Sequence, residues 1–450
     1  MAILSTRSVA LARTAPKQTA IIAALFAASL TASIATPALA APDGDLTYAV
    51  ASGDTLYDLS KDYMTGATAM QEIRTLNAIA NPRRLQIGKQ LKLPRRLMKY
   101  QPVKLDLQSF SGPVTVERNG RTVPASLGYA IEEGVIINTG AKGFAAIAGS
   151  DGALVTIPSN SRVQIIDARR YLINDKIDVQ IKVLQGRGEV RAPKIEGDAR
   201  FRMGTPIAVT AVRGTEFRVA HSADTNRSLT EVIEGEVRVS NGEQLVDTSA
   251  GFGVASAAAG IGANEKLLAS PELVEPGAIQ TQETVEFVVQ DLANASSYRT
   301  QLARDAGFTE VITELVSNDA AATFAEVPDG RFYVRSRAVS QSGLEGLAKA
   351  YSFRRKRVGA EAGIETSPFA DAFKFAWRSQ GSGQSYAGFQ LWEASQPDVL
   401  IIDEVGLEKS ALLAGNLVAG DYRWRVATFQ IDEGDVIKVW APTQELVVAE

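Results

Sequence analysis

Short segments in which apolar and polar residues alternate dominate the stretch from Val103 to about Val254. This pattern is typical of strands with one buried face. Clusters of Gly, Asn, Ser and Asp separate the segments, and no helical pattern lies between them. Regular strand spacing of this kind indicates an all-β sandwich, barrel or roll. The clearest segments are Val114–Val116, Val135–Ile137, Phe144–Ala148, Leu154–Ile157, Arg162–Ile165, Ile177–Leu184 and Gly188–Arg191.

The length and composition of the chain indicate a globular protein with several domains. Its 450 residues exceed one ordinary domain and predict roughly three or four units. A hydrophobic content of 45% with 22% charged residues excludes a largely disordered chain. A net charge of −4 disfavours general binding of nucleic acid, so we expect no nucleic-acid partner.

The first forty residues have the pattern of an export signal. Arg7, Arg13 and Lys17 precede an apolar run, and Ala38–Ala40 gives a small-residue cleavage pattern. The alternative is a membrane anchor that is retained, but the run is short for a bilayer span of about 20 residues. We therefore predict that residues 1–40 are a cleaved signal peptide and that no transmembrane segment remains. The predicted location is the periplasm or cell envelope.

A compact unit follows the signal, and its pattern predicts the order strand, helix, helix, strand. Tyr48–Val50 alternates like a strand, and Ser52–Asp54 breaks it. Apolar residues at helical spacing then indicate two short helices, the first capped by Asp54 or Thr55. A polar loop ends at Pro82, which stops any helix before it, and a second alternating strand closes at Pro94.

The landmarks of this unit resemble those of a LysM module. They are GDTLYDLS, then NAIANP, then the spacing L-x-I-G-x-x-L-x-L-P. The resemblance covers residues 46–95 and implies binding of peptidoglycan or another glycan that contains N-acetylglucosamine. One departure is that Ala69 and Met70 stand where many bacterial members carry a Trp, which predicts modest affinity. The predicted glycan-binding residues flank a shallow groove: Gly53, Asp54, Thr55, Leu56, Asn77, Ile79, Asn81, Pro82 and Leu85.

In this prediction, polar side chains and backbone amides recognise the acetamido groups, while Leu56, Ile79 and Leu85 contact sugar faces. A basic stretch, Arg95–Lys99, follows the module. One interpretation is electrostatic attraction to an anionic wall polymer. The preferred interpretation is a solvated linker.

The all-β region, residues 103–254, resembles a FecR domain. The matching residues are Thr205-Pro206, Val212–Phe217 and Val232–Val237, with ALVTIPSNSRVQI and VLQGRGEVRAP upstream. The founding member of that family relays a signal across the inner membrane, using a transmembrane helix and a cytoplasmic segment that this sequence lacks. What the resemblance implies here is a periplasmic β-domain that contacts proteins.

Residues 255–272 are rich in small residues and are predicted to form a linker. Beyond them lies a weak internal repeat, residues 273–356 and 366–449, which resembles tandem fibronectin type III-like sandwiches. The repeat aligns Tyr298 and Gln301 with Tyr386 and Gln390. Sugar stacking is one interpretation of the repeat's tryptophans, but filling a sandwich core is preferred; they are Trp377, Trp392, Trp424 and Trp440.

No convincing catalytic set emerges from the sequence, so we predict that the protein is not an enzyme and needs no cofactor or metal. The chain has no cysteine, and its single histidine, His221, lies near Ser222 and Asp224. A loop histidine is preferred over a triad. The predicted function is a peptidoglycan-tethered scaffold that contacts an envelope protein. The alternatives are a periplasmic signal-sensing partner of a transmembrane regulatory system and, less favoured, a wall-remodelling enzyme.

Overall fold

The structure is a computed structural model that describes residues 44–212 and 214–449. The predicted signal peptide, residues 1–40, lies outside the described residues. No helix within the described ranges combines the length and apolar character needed to cross a bilayer. Within these ranges the protein is mainly β, with two short helices near its start, which confirms the predicted fold class.

The first unit has the predicted order of elements. Its strands and helices are β1 (Leu46–Ala49), α1 (Leu56–Tyr63), α2 (Ala69–Leu76) and β2 (Gln90–Leu93), and a 3-10 turn at Arg95–Leu97 follows. The two strands pair antiparallel, with Leu46 opposite Leu93. One face of each helix packs onto this pair, and the resulting core contains Leu56, Leu59, Ile73 and Leu91.

Nineteen strands of the described chain form a closed barrel made of two sheets that share the long strand β12. Its core consists mainly of Val, Ile and Leu from the inward-facing positions. The strands are β3 (Tyr100–Pro102), β4 (Leu105–Ser111), β5 (Val114–Arg118), β6 (Arg121–Pro124), β7 (Ala130–Ile131), β8 (Ile136–Thr139), β9 (Phe144–Gly149), β10 (Leu154–Ile157), β11 (Ser161–Tyr171), β12 (Ile177–Arg191), β13 (Arg200–Gly204), β14 (Val209–Val212), β15 (Glu216–Ser222), β16 (Arg227–Glu234), β17 (Glu236–Asn241), β18 (Gln244–Ser249), β19 (Phe252–Ala257), β20 (Gly260–Ile261) and β21 (Glu265–Lys266).

Gly186 is the point at which β12 passes from one sheet to the other. Upstream of it β12 pairs with β11, and from Gly186 onward it pairs with β15. The φ angle of Gly186 is +78°, and a Cβ there would lie 2.5 Å from the carbonyl oxygen of Asn160. Only glycine meets both conditions, so this residue permits the crossing between sheets.

The predicted linker differs from the structure. Residues 255–272 carry the end of β19 and the strands β20 and β21, both of which pair with β19. The Leu267 N–H also donates to the Gly251 carbonyl at 2.8 Å. Gly, Ala and Ser differ little in hydrophobicity, so the alternation of buried and exposed positions in these strands is hard to recognise in the sequence.

Two β-sandwiches follow the barrel. In the first, the pair β22 (Val285–Val288) and β25 (Ala321–Phe324) faces a four-stranded sheet in the order β24-β23-β26-β27. Aromatic residues, among them Phe287, Phe332 and Phe353, fill the core between the sheets. The strands of the larger sheet are β23 (Ala295–Ala303), β24 (Val311–Ser317), β26 (Gly330–Ser340) and β27 (Glu345–Arg355).

The second sandwich begins earlier than expected. Its first strand, β28, pairs with β29 from Gly359 to Glu365, whereas the repeat was predicted to start at residue 366. Both faces of β28 are half-exposed, so it lacks the alternation by which strands are recognised. The remaining strands are β29 (Ala372–Gln380), β30 (Ser385–Glu393), β31 (Leu400–Leu407), β32 (Ala411–Gly415), β33 (Gly420–Asp432), β34 (Asp435–Trp440) and β35 (Gln444–Val448).

A buried carboxylate joins the first unit to the barrel. Asp178 on β12 accepts hydrogen bonds from Arg95 at 3.3 Å, Arg202 at 3.1 Å and the Tyr171 hydroxyl at 3.4 Å. Arg95 is only 4% exposed, and its Nε donates to the Gly44 carbonyl at 2.9 Å. Arg95 is therefore an anchor between the two units, which corrects the prediction that Arg95–Lys99 is a solvated linker.

A larger group of buried charges, here called the ion cluster, joins the barrel to the first sandwich. Glu189 of the barrel accepts from Arg337 at 2.5 Å and from Arg335 at 3.1 Å, both on β26. Glu345 of the sandwich contacts Arg187 of the barrel at 3.1 Å. The members of the ion cluster are Arg187, Glu189, Arg218, Glu231, Arg299, Glu314, Arg335, Arg337 and Glu345.

The ion cluster predicts a loss of stability in acid. Burial raises the pKa of the Glu189 carboxyl, but Arg337 and Arg335 outweigh burial and hold it below its ordinary value of 4.5. A carboxylate whose pKa is lower in the folded than in the unfolded protein stabilises the fold at any pH above its unfolded-state pKa. This contribution is lost as the pH falls below 4.5. We expect the urea midpoint to fall through this window, and to fall less in Glu189→Gln. A midpoint that stays constant or rises on acidification contradicts this account.

Candidate functional site

The two loops predicted to form the glycan-binding groove lie side by side. The Leu56 N–H, at the start of α1, donates to the Pro82 carbonyl at 2.9 Å. The Gly88 N–H donates to the Val50 carbonyl at 2.8 Å, which holds the turn before β2 against the end of β1. The loop after β1 and the loop after α2 therefore form one continuous surface at the same end of the unit.

Hydrogen bonds fix the shape of the first loop. The Asp54 carboxylate accepts from the Tyr48 hydroxyl at 2.8 Å and from the Ala51 N–H at 2.6 Å. Burial, followed by the hydrogen bond to Asp54, raises the pKa of Tyr48 to about 12. Thr55 is the N-cap of α1, because its hydroxyl oxygen accepts from the Asp58 N–H at 3.1 Å. Gly53, with a φ angle of +93°, lies exposed at the tip.

In the second loop, Asn77 and Asn81 differ in what their side chains are free to do. The Asn77 amide donates to the carbonyls of Ile73 and Lys92 and accepts from the Lys92 N–H at 2.7 Å. It ties the end of α2 to β2. Asn81 is exposed, and its side-chain oxygen accepts from the Arg83 N–H at 3.0 Å. The amide group of Asn81 therefore remains available to a ligand.

The apolar part of the predicted site needs correction. Leu56 is 0% exposed and Ile79 is 7% exposed, so neither side chain has a free surface for a sugar. Both belong to the core beneath the loops, and half-buried Leu85 packs against the same core. Regular apolar spacing marked these residues, but such spacing indicates the buried face of an element.

Two exposed apolar side chains adjoin the same loops and were missed. Tyr57 is 65% exposed and follows Leu56 on α1, and Ile87 is 67% exposed in the turn before β2. Tyr57 lies outside the apolar pattern of α1, whereas Ile87 belongs to the alternating stretch predicted to end at Pro94, but the observed strand begins only at Gln90. For Tyr57 the available signal was a large apolar residue out of phase with the buried face of α1, next to a predicted binding loop.

In the described part of the chain, His221 makes no hydrogen bond to Ser222 or Asp224, the residues considered for a triad. It lies within β15, not in a loop, and it is buried. Its Nδ1 lies 3.0 Å from the Ser228 hydroxyl, which donates to the Thr205 hydroxyl at 2.8 Å. Burial lowers the pKa of the imidazole. Among the described residues, no cluster of three or more His, Asp or Glu side chains is arranged to hold a metal ion.

Two family models match parts of the chain and confirm the two resemblances seen in the sequence. Residues 48–94 match the LysM domain, and residues 135–238 match the FecR protein family. The candidate site lies within the first match. The buried carboxylates Asp178 and Glu189, which join the barrel to its two neighbours, lie within the second.

The chain also resembles solved structures. One is a protein of Parabacteroides distasonis described as an anti-sigma factor, with 16% identity, coverage of 29% of this chain and 59% of that chain, and a TM-score of 0.25. Another is a segment of two fibronectin type III domains from chicken tenascin, with 12% identity, coverage of 39% and 99%, and a TM-score of 0.21. This chain thus spans about 59% of the first of these structures. No curated protein matches the chain.

Proposed function

We propose that the protein is an exported, non-enzymatic scaffold that binds peptidoglycan through its LysM module and contacts envelope proteins through its β-domains. The observation that carries this proposal is the LysM match at residues 48–94 together with the adjacent loops of that unit. In the described part of the chain, the backbone N–H groups of Gly53, Ala80 and Asn81 have no hydrogen-bond acceptor within the protein. Unpaired donors on an exposed surface suit the carbonyl oxygens of acetamido groups.

The proposed recognition uses polar loops with an apolar rim. Backbone N–H groups at Gly53 and Asn81 donate to the sugar's acetamido oxygen, and the Asn81 amide adds a donor and an acceptor. Tyr57 and Ile87, in place of Leu56 and Ile79, present apolar surface to the sugar rings. A single small site of this kind is weak by itself, so retention on the wall depends on a dense array of repeating sugars.

A test of this site compares two amide side chains in the same unit. We expect Asn81→Ala to weaken co-sedimentation of the full chain with purified sacculi by roughly tenfold, because one or two hydrogen bonds are lost. Gln71→Ala is the matched control, since Gln71 is exposed on α2, six residues before the loop begins. Equal binding by the two variants, with unchanged melting temperatures, would remove Asn81 from the site.

The match to the FecR family favours a second candidate, a periplasmic partner in signal transfer. In that role the barrel contacts a regulator that itself crosses the inner membrane. Crosslinking from the barrel surface in intact cells distinguishes the two candidates. Recovery of one inner-membrane regulator supports signal transfer, whereas crosslinks to wall-associated proteins alone support the scaffold.

A further inference from the structure

A cleft of about 700 Å³ lies between the barrel and the first sandwich. Barrel residues from the interior of β12 around Gly186, the end of β15 and the start of β16 form one wall, and residues of β23 and β24 form the other. Its volume is within the range of sites that bind small ligands, and such sites occur preferentially where two domains meet. The ion cluster fixes the two walls relative to each other, so the cleft is already formed without a ligand.

Positive charge dominates the lining of the cleft. Lys142, Arg187, Arg227 and Arg299 line it, and Glu314 is the carboxylate among the described lining residues. Arg299 contacts Glu314 at 2.9 Å, so that negative charge is neutralised within the protein. An anion entering the cleft therefore meets a surplus of cationic groups.

The four cations are not equally available. Arg187 already contacts Glu231 and Glu345, and Arg299 contacts Glu345 as well as Glu314. No carboxylate among the described residues lies within salt-bridge distance of Lys142 or Arg227. Lys142 lies in the loop between β8 and β9, and Arg227 is the first residue of β16. These two side chains supply the unpaired positive charge of the cleft.

The cleft also has an apolar surface. Ala220 and Leu229 contribute to it from the barrel, and Leu315 and Val316 contribute from the sandwich. Val316 is 49% exposed, although it lies on a strand whose other residues are mostly half-buried. A simple inorganic anion would leave this surface unused, whereas a ligand with both carboxylates and apolar side chains would cover it.

We propose that this cleft binds a short acidic peptide. Its carboxylates would pair with Lys142 and Arg227, and an apolar side chain between them would rest on Leu229 and Leu315. The planar guanidinium of Arg227 suits a carboxylate, because it donates two parallel hydrogen bonds. This site is separate from the glycan-binding loops and does not depend on them.

Titration of the full chain with a defined peptide tests the proposal. The probe is acetyl-Glu-Leu-Glu-amide, measured by calorimetry at low salt, with acetyl-Gln-Leu-Gln-amide as its uncharged counterpart. We expect the peptide with two Glu residues to bind and the uncharged peptide with two Gln residues not to bind. We expect Arg227→Gln and Lys142→Gln each to weaken binding roughly tenfold, because each removes one charge-assisted contact.

The control is Lys409→Gln, which makes the same charge change at an exposed site on the second sandwich and should leave affinity unchanged. The melting temperatures of Arg227→Gln and Lys142→Gln should equal that of the unaltered chain, because neither residue has an ion-pair partner to lose among residues 44–212 and 214–449. Three results would overturn the proposal: no binding of the acidic peptide, equal affinity in all variants, or equally strong competition by inorganic phosphate.

Discussion

Glu345→Gln is expected to destabilise the barrel and first sandwich by about 3–5 kcal/mol, the range for breaking a buried ion pair. The Glu345 side chain is 1% exposed and contacts Arg299 at 2.6 Å, Arg337 at 3.1 Å and Arg187 at 3.1 Å. Burial raises the pKa of Glu345, but the surrounding guanidinium groups hold it well below its ordinary value, Arg187 and Arg299 most strongly. The substitution keeps the shape of the side chain and removes its charge, so three buried guanidinium groups share one carboxylate fewer.

The matched control is Glu445→Gln, the same change in an exposed pair. Glu445 contacts Arg423 at 3.3 Å on the second sandwich, and its side chain is 76% exposed. Exposed pairs of this kind contribute little to stability. Urea unfolding followed by far-ultraviolet circular dichroism gives the midpoint for both variants, because it reports on the strands of every domain. If the two substitutions shift the midpoint equally, the ion cluster does not hold the barrel and the sandwich together.

The second large effect is expected where the first unit meets the barrel. There Asp178→Asn should also lower the free energy of unfolding by about 3–5 kcal/mol. Asp178 is 3% exposed and is the acceptor shared by Arg95, Arg202 and Tyr171. A neutral amide places a donor group among these three donors. Amide hydrogen exchange, followed by mass spectrometry, should show faster exchange at residues 95–98 and 171–178 than in the unaltered chain.

Asp247→Asn is the matched control for Asp178→Asn. Asp247 pairs with Arg238 across an exposed hairpin at 2.7 Å, so the same substitution there removes a solvent-screened contact. We expect it to leave exchange at residues 95–98 and 171–178 unchanged. The junction would be held by apolar packing alone if Asp178→Asn behaved in the same way.

The sequence predicts the local structure of this protein well, for a physical reason. A strand with one buried face must alternate, as in β10, where Val155 and Ile157 are buried and Leu154 and Thr156 are half-buried. The landmarks of the first unit likewise depend on short-range geometry, such as the cap at Thr55. Patterns of this kind need only a few neighbouring residues.

Contacts between distant residues are not predictable in this way. Arg337 and Glu189 are 148 positions apart, and in the sequence each resembles an ordinary surface residue. Arg95 was interpreted as a solvated linker residue for the same reason. A buried ion pair becomes visible only when the partner's position is known.

Predictions from the internal repeat are confirmed for the aligned glutamines and only in part for the tryptophans. Gln301 accepts from Arg335 at 2.8 Å and Gln390 accepts from Arg425 at 2.9 Å, so the aligned glutamines occupy equivalent places in the two sandwiches. The four tryptophans occupy two kinds of position. Trp377 and Trp424 lie in the second core as predicted, whereas the guanidinium of Arg425 lies over the rings of Trp392 and Trp440, outside that core.

The most direct test of the proposed function is competition between wall and free sugar for the unaltered protein. Purified sacculi are incubated with the full chain and increasing amounts of N-acetylglucosamine oligomers, and the bound fraction is measured after sedimentation. We expect the chain to sediment with sacculi and the oligomers to release it progressively, whereas glucose oligomers of equal length should not. Failure to sediment with sacculi, or release by both sugars alike, contradicts the claim that residues 48–94 bind the amino-sugar chain.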